Sequence, residues 1–259
     1  MTAAIALPVL AFIVQYADRS IFIGLTVLVS TLGLYEFYEM TLTGKRRIES
    51  YLALSFGALF CGYVCSNEPA TALFVLTVIF LLLAVVYLFR FGELSLVIQH
   101  LAITFLGLLY IPFLLGHLAL LRGLPYGSSW VFLVLVVAMV GDSAALFVGS
   151  AVGRRKLYPS ISPNKSIEGA LGGLAGSVLG AVVFKLLFFP QADLVMVVGL
   201  AIVLSVAAQL GDLFESMLKR SCQVKDSGKI IPGHGGILDR LDSLLFVFPA
   251  AYYLIGFFG

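Results

Sequence analysis

The stretch Leu194-Val-Met-Val-Val-Gly-Leu-Ala-Ile-Val-Leu-Ser-Val-Ala-Ala-Gln-Leu-Gly-Asp-Leu-Phe-Glu-Ser-Met-Leu218 carries no charged residue before Asp212 and runs straight into Lys219-Arg220. It is long enough to cross the roughly 30 Å of hydrocarbon in a bilayer, so the solvent for this segment is lipid. Comparable runs recur at residues 20–40, 48–66, 70–89, 94–121, 128–152, 167–189 and 241–258. Residues 4–16 form a shorter run with Pro8, which reads either as a further span or as an interfacial helix. The pattern predicts an all-α, polytopic transmembrane helical bundle of about nine spans. Composition agrees, with 61% hydrophobic and only 12% charged residues, against about one quarter charged in soluble domains.

The loop charges predict an orientation. Lys45, Arg46 and Arg47, then Arg90, then Arg154, Arg155, Lys156 and Lys165, then Lys219, Arg220, Lys225, Lys229 and Arg240 fall in alternate loops, while the intervening ones hold Arg19 and Arg122, with Lys185 near a helix end. The positive-inside rule places the basic loops and the N-terminus in the cytoplasm and the C-terminus outside. Residues 1–4 lack the basic region of a removable signal peptide, so the first segment is expected to stay. A net charge of +2 gives no reason to expect a nucleic-acid partner. Cys61, Cys65 and Cys222 form neither a disulfide framework nor a zinc spacing.

The two halves differ in character. Residues 1–122 read as a scaffold of membrane helices, and residues 123–259 as the helices that carry a nucleotide and metal site. In the second half Gly172, Gly173, Gly176 and Gly180 recur at helical spacing, which lets neighbouring helices approach closely.

Acids inside spans are costly and usually face a polar cavity, which singles out Asp142 in Gly141-Asp-Ser-Ala-Ala145 and Asp212. Glu215, a turn after Asp212, is equally accounted for by pairing with Lys219. Next comes Lys225-Asp-Ser-Gly-Lys-Ile-Ile-Pro-Gly-His-Gly-Gly-Ile-Leu-Asp-Arg-Leu-Asp-Ser243. Its Gly233, Gly235 and Gly236 around His234 allow backbone N–H groups to converge on an anion, with Lys225, Lys229 and Arg240 adding positive charge. Asp239 and Asp242, three apart at a helix start, project to one face and suit a hard cation such as Mg²⁺. A tight turn followed by helix-capping acids is the plainer alternative. Upstream, Lys165 and Ser166 open a helix whose free amides suit a phosphate, or Ser166 is simply its cap. His100 and His117 read as packed, hydrogen-bonded side chains. A Walker-type loop and a G-x-S-x-G elbow are both absent from the sequence.

Ser216-x-x-Lys219-Arg220, Lys225-Asp226 and Pro232-Gly-His-Gly-Gly-x-x-Asp239-Arg240-x-Asp242 together resemble the signature of the phosphatidate cytidylyltransferases, or CDP-diacylglycerol synthases. Gly141-Asp142-Ser143-Ala144-Ala145 and Ser162-Pro163-x-Lys165-Ser166-x-Glu168-Gly169 resemble that family's accompanying blocks, and Asn164 departs from the basic residue expected there. The resemblance implies transfer of a cytidylyl group from CTP to phosphatidate in phospholipid biosynthesis. It implies an enzyme in the cytoplasmic (inner) membrane, with its site facing the cytoplasm, acting as a homodimer. It also implies Mg²⁺ on Asp212, Asp239 and Asp242, with Asp142 in the same cavity, alone or beside a second cation such as K⁺. Lys165, Lys219, Arg220, Lys225 and Arg240 would hold phosphates, and Asp226 would orient Lys225 or touch the nucleotide. His234 would contact a phosphate or shuttle a proton. A CTP-consuming lipid kinase and a membrane transporter are the alternatives; the inverted repeat that marks many transporters is not evident.

Overall fold

With no water available in hydrocarbon, a crossing segment has to satisfy its backbone internally, and the apolar runs accordingly fold as helices. A computed structural model describes residues 2–42, 47–66, 68–90, 94–228, 230 and 235–258, the side chains of 2–7 and of 47–48 excepted. Its helices are α1 (Thr2–Tyr16), α2 (Arg19–Thr41), α3 (Arg47–Val64), α4 (Pro69–Arg90), α5 (Val97–Leu108), α6 (Leu114–Arg122), α7 (Gly127–Val152), α8 (Ile167–Phe188), α9 (Leu194–Ser221) and α10 (Leu238–Phe258). A π-helical turn, Leu109–Phe113, joins α5 to α6 where Pro112 has no N–H to give. The protein is thus an all-α polytopic membrane bundle. Among the described residues seven helical segments are long and apolar enough to cross a bilayer, with α5 and α6 counted as one. The exceptions are α1, with 15 residues, and α3, whose 18 residues include Glu49 in the first turn.

The chain groups into two compact units. One comprises Met1–Ala17, Leu121–Lys225 and Arg240–Gly259, the other Asp18–Leu120 and Asp226–Asp239. Each draws on both sides of the division expected at residue 122.

In the first unit α7 and α8 lie along one another. A Cβ on Gly176 would run into the Ala144 methyl, and one on Gly180 would sit 3.2 Å from Val140, so the glycine spacing read from the sequence serves this contact. Gly211 of α9 meets the backbone of α10 at Asp242 and Ser243, where an added Cβ would sit 2.6 Å from the Asp242 carbonyl oxygen. Arg122 donates to the carbonyls of Val14 (2.6 Å) and Ala17 (2.9 Å) at the end of α1. Between α7 and α8 the basic loop forms a small antiparallel hairpin, β1 (Lys156–Tyr158) and β2 (Ser162–Ser166), pairing Lys156 with Ser166 and Tyr158 with Ser162. Ser166 then caps α8, its hydroxyl accepting from the Gly169 N–H at 3.1 Å.

In the second unit Arg19, at the start of α2, reaches the Ser66 carbonyl just past the end of α3 at 3.4 Å. The two helices therefore run antiparallel, the end of α3 lying beside the start of α2. Buried hydroxyls tie further helices to them: Tyr38 donates to the Thr104 carbonyl (2.8 Å), and Tyr87 meets the Thr104 hydroxyl (3.1 Å). His117 is buried, its Nδ1 2.8 Å from the Phe113 carbonyl, the packed histidine expected of it.

Candidate functional site

A cavity of about 620 Å³ opens within the first unit, lined among others by Asp142 of α7, Lys165 and Ser166 of β2, and Gln209 and Asp212 of α9. The short hairpin explains how Lys165 gets there: strand β2 carries its side chain to the cavity just before α8 begins. Its ammonium pairs with Asp212 Oδ2, each side chain remaining 30% exposed. Asp212 Oδ1 accepts more weakly from the Ser216 hydroxyl, 3.4 Å away, and Gln209 holds the Ala170 carbonyl at 3.1 Å.

More negative charge surrounds this pair. Asp142 and Asp242 each lie within Coulombic reach of Asp212 and of one another, with Lys165 near Asp142 and Lys219 near Asp242. Lys219 also pairs at 2.7 Å with the fully buried Glu215, the pairing that its helical spacing suggests. Four acids (Asp142, Asp212, Glu215, Asp242) against two lysines leave a formal excess of two negative charges. Like charges repel strongly in a water-poor site, so the arrangement favours a cation. Among the described residues, no three acidic, His or Cys groups enclose an ion by themselves. Oxygen donors fewer than a full shell are the usual setting for Mg²⁺, which keeps waters and takes the rest from substrate phosphates.

Basic residues frame the same unit. Arg220 donates to the carbonyls of Ile161 (3.4 Å) and Val224 (3.2 Å), tying the hairpin to the end of α9. Lys225 and Arg240 are exposed.

In the second unit, Asp239 Oδ2 accepts from the backbone N–H of Ser227 (3.0 Å), the Ser227 hydroxyl (3.0 Å) and the N–H of Gly236 (2.8 Å). Glu36 takes the neighbouring donors: Ile237 N–H to Oε1 (3.0 Å), Leu238 N–H to Oε2 (2.9 Å), with the Ser227 hydroxyl 3.2 Å from Oε2. Of the glycine amides read from sequence as converging on an anion, that of Gly236 donates to the protein's own Asp239 carboxylate. Gly235 has φ +81°, and a Cβ there would lie 2.8 Å from Asp239 Oδ2. Asp226 is exposed. Gly233 and His234 lie outside the described residues, as does Lys229.

Glu36 was not singled out in the sequence, although the signal was available. It is an acid inside the run at residues 20–40, the same feature that marked Asp142 and Asp212.

The sequence profile of the cytidylyltransferase family matches residues 1–258. A Bacillus subtilis protein named phosphatidate cytidylyltransferase is 45% identical over 155 residues, covering 60% of this chain and 58% of that protein. A protein of the same name from Staphylococcus epidermidis is 43% identical over 129 residues, half of each chain. The chain therefore spans about half the length of these two curated relatives. A third, from Thermotoga maritima, is 33% identical over 263 residues, covering 97% of this chain and 93% of its own. Matched over nearly its whole length by that profile, the chain belongs to the cytidylyltransferase family.

Proposed function

We propose that this protein transfers the cytidylyl group of CTP to phosphatidate, forming CDP-diacylglycerol and pyrophosphate. The observation that carries the reading is the cavity in which Asp212 faces Lys165, with Asp142 and Asp242 in Coulombic reach. The family match and the names of the relatives support the same substrates.

A phosphate monoester is largely ionised near neutral pH, so a phosphatidate oxygen attacks the α-phosphorus of CTP without a protein nucleophile. The bond from the α-phosphorus to the oxygen bridging to the β-phosphorus breaks, and pyrophosphate leaves with that electron pair. The residues' work is positioning and charge neutralisation, the usual main terms in transfer at phosphorus. Lys165, released from Asp212 when phosphate enters, neutralises phosphate oxygens, and Lys219, Lys225, Arg220 and Arg240 are the further cations for substrate and leaving group. Asp142, Asp212 and Asp242 fit Mg²⁺ as hard oxygen donors with charge to spare, and we keep Asp239 in that set, with K⁺ as a second cation. Bound there, Mg²⁺ would supply Lewis-acid charge neutralisation. We keep His234, Ser166, Asp226 and the glycines 233, 235 and 236 as substrate contacts.

We further propose nine spans, an N-terminus in the cytoplasm, and a site facing the cytoplasm from the inner membrane. Contacts between helix ends support this count. Arg19 with Ser66, Arg122 with Ala17 and Arg220 with Ile161 each join a helix end to a loop that a nine-span alternation assigns to the same face. The end of α3 lies beside the start of α2, which supports counting α3 as a span. A homodimer rests on the family resemblance, since the glycine stripe of α8 is already filled by α7.

The test is purified protein in detergent with CTP and phosphatidate, with Mg²⁺ and K⁺ omitted in turn. Pyrophosphate and CDP-diacylglycerol as products support the reading. CDP as the released nucleotide points to γ-phosphoryl transfer, and no consumption of CTP overturns the reading.

A further inference from the structure

The second unit contains an acid to which the proposed chemistry gives no role. Glu36 sits on α2, only 2% exposed, while Glu39 of the same helix is exposed. A buried carboxylate is tolerated only when its lone pairs are met; two amides meet this one, with the Ser227 hydroxyl, whose single proton it shares with Asp239, 3.2 Å away. They come from the two ends of a single segment, Ser227 at one end and Ile237 and Leu238 at the other. The second pair are the amides at the start of α10, where a helix presents unpaired N–H groups and partial positive charge.

The glycines fit the same account. A Cβ on Gly228 or on Gly236 would collide with the Glu36 carboxylate, and one on Gly236 with the Ser227 hydroxyl too. These two positions lack side chains because Glu36 occupies the space. Asp239 completes the arrangement by accepting from Ser227 and Gly236, so both ends of the segment are held by two carboxylates, one of them its own.

We infer that Glu36 is a positioning residue for the proposed transfer: by receiving the Ile237 and Leu238 amides beside Ser227 it sets the first turn of α10. That turn carries Asp239 and Arg240 and leads directly to Asp242. The inference rests on the cytidylyl-transfer reading. Glu36 acts through the backbone it holds, since its oxygens are filled by donors of the chain itself. A helix start held by fixed hydrogen bonds before substrate arrives lets transfer proceed from one geometry.

The test compares full-length wild-type protein with Glu36→Gln and Glu36→Ala. Gln keeps the shape and one acceptor but turns an NH₂ group toward one of the two amides. Three quantities are read: amide exchange over residues 227–242 without substrate, kcat and KM for both substrates, and thermal unfolding. For Glu36→Gln we expect a folded protein and exchange at residues 236–238 about tenfold faster, from loss of a hydrogen bond to a charged group. We expect kcat about 100-fold lower, the scale of a 1 Å misplacement, with KM for phosphatidate within about threefold. Glu36→Ala should go further in both readouts. Faster exchange with unchanged kcat, unchanged exchange, or loss of folding in both variants would each overturn the inference. If wild-type protein consumes no CTP, the functional reading fails, while the exchange comparison still decides whether Glu36 holds the segment.

Discussion

Asp212 and Glu36 are both acids set into long apolar helices, and their surroundings differ in kind. Glu36 is met by backbone amides and a hydroxyl, and sits closed off from solvent. Asp212 is met by a lysine side chain that can leave and by two further carboxylates that repel it, at the wall of a cavity. Rigid donors fixed in a backbone complete a carboxylate, whereas mobile charge and like charge leave it with capacity for a ligand. The first arrangement builds architecture, and the second is the one to which the proposed function assigns the chemistry.

That comparison can be broken by substitution. Asp212→Asn and Asp242→Asn should each lower turnover of CTP and phosphatidate by about a thousandfold or more, in keeping with loss of a group that acts on transition-state charge, while the protein stays monodisperse in detergent. Turnover within tenfold of wild type would remove Asp212 from the chemistry and leave the two acids alike. Lys165→Met should cost about a hundredfold in turnover, because a phosphate contact is lost. It should also lower the Mg²⁺ concentration needed for half-maximal rate, since Asp212 loses its competing cation. A higher Mg²⁺ requirement would mean that the lysine supports the ion rather than standing in for it.

A smaller effect sharpens the other side. Gly236→Ala forces a methyl into the Glu36 carboxylate and should cost about 1–3 kcal/mol, the usual range for overpacking, read as a lower unfolding temperature. In a Glu36→Ala background the same change should cost measurably less, a coupling that a double-mutant cycle resolves. Strict additivity would mean that the two groups do not share the space. The smallest change is expected at Arg122→Ala, which removes the guanidinium from the last carbonyls of α1. Thermal stability should fall by about 1 kcal/mol, with turnover within twofold.

Length and apolarity made the spans legible, because a bilayer leaves the backbone few options. The hairpin before α8 was not legible, since its two strands are short and polar, and a run such as Ser162-Pro-Asn-Lys-Ser166 shows no alternation. Asp142, Asp212 and Lys165 were singled out from position and type alone, and all three line the one cavity described. Glu36 escaped because an acid near the end of a span reads like an acid at its margin. Only the fold reveals that the donors for it come from the far end of the chain. Gly236 was read as offering its amide to an anion, and the space beside it is taken by Glu36.

The partners of Glu36 lie 191 to 202 residues downstream of it. At the roughly 5–20 residues per second of synthesis, about 10–40 seconds pass between the emergence of this acid and that of the amides that receive it. For that interval α2 has to hold a carboxylate at the membrane without its donors. The first and last parts of the chain are therefore bound by assembly order as well as by geometry, and a nascent chain stopped short of Ser227 would carry an unanswered charge among its apolar helices. That makes Glu36 a point at which the membrane's quality control could tell a finished copy from an unfinished one.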